Sequence, residues 1–243
     1  MKIHLLENRA PFGWTTFGGY WPEGAVRTDR FTLKNDLGQA VPLQSDITAR
    51  WGDGSVRWSR HTASADALGP GGELTADPET AGKTVHDAPA KQPGLSATET
   101  AEGWRIAGNR LNVFIPKEGD LLARDATFDG VRLFSSAYPV LSLAHETEES
   151  GRITRETVPC PARILRREAE ESGPLQVTIR FDGVHLEGER EVMPFRLRMT
   201  LHDDGQIGFD HTFFFRGDPG GNGTLRPALA AADPSDDGPG NRS

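Results

Sequence analysis

Two stretches in the second half of the chain alternate strictly between apolar and polar positions. Leu175, Val177, Ile179 and Phe181 fall on one face of an extended segment, with Gln176, Thr178 and Arg180 on the other. Phe195, Leu197 and Met199 repeat the pattern against Arg196, Arg198 and Thr200. A period of two is that of a strand buried on one face, and it argues against a helix over either stretch. The run from Ile207 to Phe215 closes the set. Upstream, Trp104–Ala107 and Leu111–Ile115 flank Gly108-Asn109, and Phe128-Asp129-Gly130-Val131 places an Asp-Gly turn between two strands. The Arg/Glu-rich stretch 163–172 has little apolar face beyond Ile164 and Leu165, so it is expected as a charged strand or loop rather than a helix.

The N-terminal quarter gives shorter alternations and denser turns. Ile47, Ala49 and Trp51 share a face and lead into Gly52-Asp53-Gly54, a hairpin signal, with Val56 and Trp58 sharing a face on the return and Arg50 and Arg57 opposite. Phe31–Leu33 and Val41–Gln44 flank Asn35-Asp36-Leu37-Gly38, a second hairpin, in which Pro42 confines its strand to an edge or to a first residue. From about 66 to 96 large apolar residues nearly vanish, leaving Leu68, Leu74 and Val85 as markers of weak strands in a loop-rich crossing. From Gly220 onward the chain is rich in Gly, Ala, Asp and Pro, and disorder is expected there. The expected organisation is all-β: a small barrel over residues 1–90, an antiparallel sandwich over 91–219 and a disordered tail over 220–243. Trp51, Trp58, Phe195, Leu197, Phe213 and Phe215 are the expected core.

Composition agrees with short strands joined by turns: 28 Gly and 17 Pro accompany a hydrophobic fraction of only 36%. The formal net charge of -8 carries no basic run. No nucleic-acid partner and no membrane partner is therefore expected. The single cysteine, Cys160, excludes an intrachain disulfide and is expected as a packed side chain. Residues 1–9 hold no apolar run long enough for a signal peptide, and no stretch is long enough to span a membrane, so the expected location is cytoplasmic.

Few motifs carry chemistry. The glycine pairs at 18–19, 71–72 and 220–221 do not form a dinucleotide or phosphate loop, and His145-Glu146 lacks the second histidine of a metalloprotease helix. No cofactor and no metal site is expected. His211, between Asp210 and Thr212, reads either as a base or sugar ligand or as a core or edge histidine satisfied by a hydrogen bond, and the second reading is preferred. Trp14, Phe17, Tyr20 and Trp21 crowd together beside Glu23. Aromatic faces stack on the apolar faces of sugar rings, and carboxylates bind hydroxyls, so Trp14, Tyr20, Trp21 and Glu23 form a candidate sugar platform. The same cluster reads as barrel core and cap, and that reading is preferred.

The N-terminal elements Gly18-Gly19-Tyr20-Trp21-Pro22-Glu23-Gly24, Val41-Pro42-Leu43-Gln44 and Trp51-Gly52-Asp53-Gly54-Ser55-Val56-Arg57-Trp58 stand in an order that resembles the RIFT-related barrel of exo-acting rhamnogalacturonan lyases and their bacterial relatives. Glu187-Gly188-Glu189-Arg190, Pro194-Phe195-Arg196-Leu197-Arg198 and His211 through Pro219 resemble the central β-sandwich of the same proteins. The resemblance implies a RIFT-related β-barrel followed by an antiparallel β-sandwich. It also implies a following α/α toroid that forms much of the active site, for which this chain has no counterpart after Pro219. No catalytic residue is carried over by the matched motifs. The expected function is the non-catalytic β-region of a rhamnogalacturonan-lyase-like protein, truncated and inactive alone, meeting an oligosaccharide and a toroid domain or partner chain. Two alternatives stay open: an independent carbohydrate-binding module, and a self-sufficient lyase acting by β-elimination.

Overall fold

The computed structural model describes residues 2–4, 13–64, 73–79, 94–214 and 224–231. Every regular element among them is a strand, and the strands pair antiparallel. The chain divides into two compact units, one of Met1–Gly94 with Gly173–Gln176, the other of Leu95–Ser172 with Val177–Ser243.

The first unit holds two small sheets. One has the order β1 (Lys2–His4), β7 (Glu73–Pro78), β3 (Phe31–Asn35), β4 (Ala40–Val41); the other has the order β2 (Trp14–Tyr20), β6 (Val56–Ser64), β5 (Gln44–Arg50). Leu33, Val41 and Leu74 of the first sheet pack with Ala63 of the second and with the half-buried Phe17 and Leu43. A second cluster of Trp21, Val26, Phe31 and Val56 continues that core. The expected turns form. Asn35 accepts from the backbone N–H groups of Leu37 and Gln39 through its Oδ1, and Gly38 takes φ +74°. β4 is two residues long and ends at Val41, because Pro42 cannot donate to a ladder. Leu74 lies in β7, whereas Leu68 and Val85 fall outside the described residues.

The expected strand faces fail at one place. Trp58 is 43% exposed, while Val56 on the same strand is buried, and Trp51 is half-buried. The cause is a pair of irregularities: Ile47 pairs Ser59, Ala49 pairs Trp58 and Arg50 pairs Val56, so β5 carries an extra residue at Thr48 and β6 one at Arg57. A bulge puts two residues against one and resets the alternation, turning Trp58 outward while Val56 points in.

The second unit is one sheet with the order β16-β15-β14-β13-β12-β11-β10-β9-β8. These strands are β8 (Ser96–Glu99), β9 (Gly103–Ala107), β10 (Leu111–Pro116), β11 (Ala123–Phe128), β12 (Val131–Glu149), β13 (Arg152–Ser172), β14 (Gln176–Glu187), β15 (Arg190–His202) and β16 (Ile207–Phe213). The sheet folds back on itself. A single core holds Ile106, Leu111, Val113, Ile115 and Ala126 from β9–β11 together with Ile164, Val177, Ile179, Phe181, Leu197 and Met199 from β13–β15. Phe195 and Leu197 are buried as expected, and Arg163–Ser172 is strand. Cys160 is buried beside Leu141, Leu143 and Met193.

Two expectations are corrected here. Phe213 is 43% exposed, because β16 ends the sheet and, among the described residues, no further strand is hydrogen-bonded beyond it. Its partner Phe215 lies outside the described residues. The tail is also not uniformly without structure: Thr224–Ala231 forms β17, paired with β12 from Ala137↔Ala231 to Ala144↔Thr224. β11 pairs with β12 only as far as Ala137, so the unpaired backbone beyond it accepts a new strand whatever its side chains. The rest of 220–243 lies outside the described residues.

On the face away from the core, β13–β15 carry a lattice of alternating charge. Arg180 bonds Glu168 at 2.8 Å, Glu170 at 3.1 Å and Asp182 at 3.0 Å. Arg196 reaches Asp182 at 2.7 Å and Arg198 reaches Glu170 at 2.6 Å. The Arg198 hydrogen bond and the nearby Arg180 hold Glu170 below the ordinary carboxylate range.

Candidate functional site

The residues singled out by sequence are not held together. Trp14 and Tyr20 stand at opposite ends of β2, about 20 Å apart at the rise of an extended strand. Trp21 is core: its indole N–H donates to Ser59 Oγ at 2.8 Å, and its ring packs on Phe31 at 5.4 Å. Glu23 is exposed in the turn that follows β2. His211 belongs to β16 of the second unit, where Phe195 and Phe213 meet its ring edge-on at 5.5 and 5.2 Å and His185 lies 6.4 Å away. Burial pulls the His211 pKa below the usual imidazole range. Its Nε2 has no hydrogen-bond partner among the described residues.

Of the N-terminal cluster, Tyr20 alone remains a surface aromatic, at 51% exposure. It is joined by residues that sequence reasoning placed in the core. Tyr20 lies directly opposite Trp58 across the β2–β6 ladder, with ring centroids 5.1 Å apart, and meets Trp51 edge-on at 6.2 Å. The Arg57 guanidinium carbon lies 4.6 Å from the centre of the Trp51 ring. Directly opposed residues share a sheet face, so Tyr20 and Trp58 form one surface. The signal that could have found this site was the tract from Trp51 to Trp58 itself, had the bulge at Arg57 been foreseen.

The site is held by its scaffold. Trp51 Nε1 donates to the Trp21 carbonyl at 2.9 Å, which orients the indole. The turn below it is closed by Trp51 N–H to Ser55 carbonyl at 2.8 Å, with Gly54 at φ +82°, where a side chain would be strained. Asp53 accepts from the Ser55 hydroxyl at 2.5 Å and the Ser55 N–H at 2.9 Å, and Arg27 pairs with its other oxygen at 2.8 Å. The Ser55 bonds, with Arg27 beside them, hold the Asp53 carboxyl below its ordinary range. Beneath the surface, His61 is fully buried with both ring nitrogens bonded, Nδ1 to Ser45 Oγ at 2.8 Å and Nε2 to Ser59 Oγ at 2.7 Å. Ser59 also accepts from Trp21, and its hydroxyl keeps both a proton and a second lone pair with which to bond His61 Nε2. Burial pulls the His61 pKa down to about 4.

Chemically the exposed surface offers two aromatic faces side by side and a guanidinium at the margin. That combination stacks on apolar ring faces and bonds hydroxyl or carboxylate oxygens. Among the described residues no group of three or more His, Cys, Asp or Glu is arranged to hold a metal ion, and no helix is long and apolar enough to cross a membrane.

A small β-barrel followed by an antiparallel β-sandwich, with exposed aromatics on the barrel, defines the class of protein. Family models match both parts: the PcRGLX-like N-terminal RIFT barrel domain over residues 1–76 and the PcRGLX-like protein central β-sandwich domain over residues 95–223. The chain belongs to this rhamnogalacturonan-lyase-like family. It is similar to the uncharacterized protein YetA of Bacillus subtilis (strain 168), 27% identical over 203 residues that cover 81% of this chain. The match spans 22% of that relative's length.

Proposed function

We propose that this chain is the sugar-holding β-region of a rhamnogalacturonan-lyase-like protein, with the barrel surface of Tyr20, Trp58, Trp51 and Arg57 as its carbohydrate contact. The observation that carries this is the exposure of two directly opposed aromatic rings 5.1 Å apart on a sheet face. Large aromatics left in water at a pinned geometry are poor for stability and well suited to stacking, because little rotamer freedom remains to be lost on binding.

The elimination chemistry belongs elsewhere, in a third domain or partner chain. β-Elimination from a uronate needs a base for the C5 proton and a cation that neutralises the carboxylate as charge develops. The rings around His211 are His185, Phe195 and Phe213, and none of them carries a permanent positive charge. His211 therefore lacks, in this ring cluster, the second half of such a site.

The test is a titration of the chain with rhamnogalacturonan oligosaccharides, read by tryptophan fluorescence, beside absorbance of unsaturated product at about 235 nm. The expected result is a saturable fluorescence change with no rise in absorbance. Removing one stacking ring, by Trp58→Ala or Tyr20→Ala, weakens binding by about tenfold, the equivalent of 1.4 kcal/mol. A titration insensitive to both substitutions removes the platform from the proposal, and product formation by the chain alone replaces it with the self-sufficient lyase.

A further inference from the structure

A second site lies on the sandwich unit and is independent of the barrel surface. Phe114 of β10 points away from the core, on the face shared with Asn112, while Leu111, Val113 and Ile115 point into the core. Yet Phe114 is only 7% exposed. Two arginines cover it: Arg105, its direct partner on β9, with the guanidinium carbon 5.4 Å from the ring centre, and Arg124, its direct partner on β11, at 4.5 Å. These side chains and Asn112 line a cleft of about 300 Å³.

The backbone is bent to make this arrangement. Asn112 pairs Thr127 and Phe114 pairs Arg124, so β11 carries one residue too many, and Asp125 takes φ 54°. That bulge lets Ala123 and Ala126, three positions apart, both point into the core while Arg124 and Asp125 both turn outward. A left-handed backbone at a non-glycine residue is a cost the local structure imposes, and such costs concentrate at binding positions.

The electrostatics are unbalanced in one direction. Among the described residues Arg105 has no ion-pair partner, and the nearest carboxylate oxygen to Arg124 is Asp125 Oδ2 at 3.8 Å from Nε. Two guanidinium groups thus flank one ring with one loose counter-charge, on a chain whose formal net charge is -8. Elsewhere on the same unit arginines are closely paired, as Arg180, Arg196 and Arg198 are. Guanidinium forks match the two oxygens of a carboxylate, and the pinned aromatic ring between them limits how far they can swing.

We propose that the Arg105–Phe114–Arg124 cleft binds the carboxylate of a small ring-shaped acid, with the two arginines as its clamp and Asn112 bonding a neighbouring oxygen. The probes are galacturonic acid and its methyl ester, which share a ring and differ in the charge on the carboxyl group. The readout is the backbone amide spectrum of the full chain, residue by residue. Galacturonate shifts the Arg105, Asn112, Phe114 and Asp125 signals in a saturable way at or below about 10 mM, and the methyl ester does not. Arg105→Gln and Arg124→Gln each weaken binding at least tenfold, while signals of the buried β14 residues stay in place. The proposal is overturned if the methyl ester shifts the cleft signals as galacturonate does, or if galacturonate leaves them unmoved. Because the wild-type comparison needs no substitution, a variant that fails to fold does not shield the proposal. Shifts confined to Tyr20 and Trp58 would support the barrel platform and overturn the cleft.

Discussion

His61 gives the barrel unit a defined acid sensitivity. It is fully buried and held neutral, with a pKa of about 4 against an ordinary value of 6.5. Between those two values the unfolded chain binds a proton that the folded chain does not, so stability rises with pH across this window. The His61 contribution is complete above pH 6.5 and is lost as pH falls toward 4. At pH 5 the loss amounts to about 2 kcal/mol, which is a shift of about 1 M in a urea midpoint for a unit of this size. Of the five tryptophans, Trp14, Trp21, Trp51 and Trp58 lie in the barrel unit, so indole fluorescence reports chiefly on that unit. The range from pH 7 to 5 also stays above the titration of the carboxylates that are held low in the fold, such as Asp53. His61→Gln removes the titrating group. It lowers stability at pH 7, since the bonds to Ser45 and Ser59 are no longer both made, and it flattens the pH dependence. An equal fall in midpoint between pH 7 and 5 in both proteins would refute the reasoning, because the acid sensitivity would then come from another group.

Two further outcomes concern the sandwich. At Gly183 an added Cβ would lie 2.5 Å from Phe195 Cζ and 2.6 Å from the Arg163 carbonyl oxygen, so Gly183→Ala lowers stability by about 1–3 kcal/mol, and an unchanged thermal midpoint would show that β13 and β15 give way there. Arg180→Met leaves Glu168, Glu170 and Asp182 without their shared cation, and its stability deficit is largest at neutral pH and shrinks as pH falls below the ordinary carboxylate range, where Glu170 and Asp182, both held low in the fold, protonate; a deficit independent of pH would assign the loss to packing instead.

Much of the fold was legible because its signals are local. The alternation from Leu175 to Phe181 and from Phe195 to Met199 needs only a pleated backbone with one apolar side, and both runs are buried as read. Asp129-Gly130 forms the turn between β11 and β12 because both residues accept positive φ, at 50° and 78°. Cys160 is packed in a core, as a lone small apolar side chain should be. Of the candidate sugar platform, the sequence by itself grouped Tyr20 with Trp14, Trp21 and Glu23, of which Trp14 stands at the far end of β2, Trp21 is core and Glu23 lies in the turn beyond.

What the sequence could not decide were facts about partners across the sheet. Trp58 faces water because Arg57 is an unmatched residue in the β5–β6 ladder, and a bulge is a property of two strands in register. Phe213 is half-exposed because β16 ends its sheet, and strand order is not written in the alternation of any one strand. Thr224–Ala231 has little side-chain pattern to betray a strand, and it pairs because β12 outruns β11 and leaves backbone groups unmet. Phe114 is covered on an outward face because arginines on two other strands meet over it. In each case periodicity specified which way a side chain alternates, while only the assembled sheet decided where the alternation slips, where the sheet stops and what covers the ring.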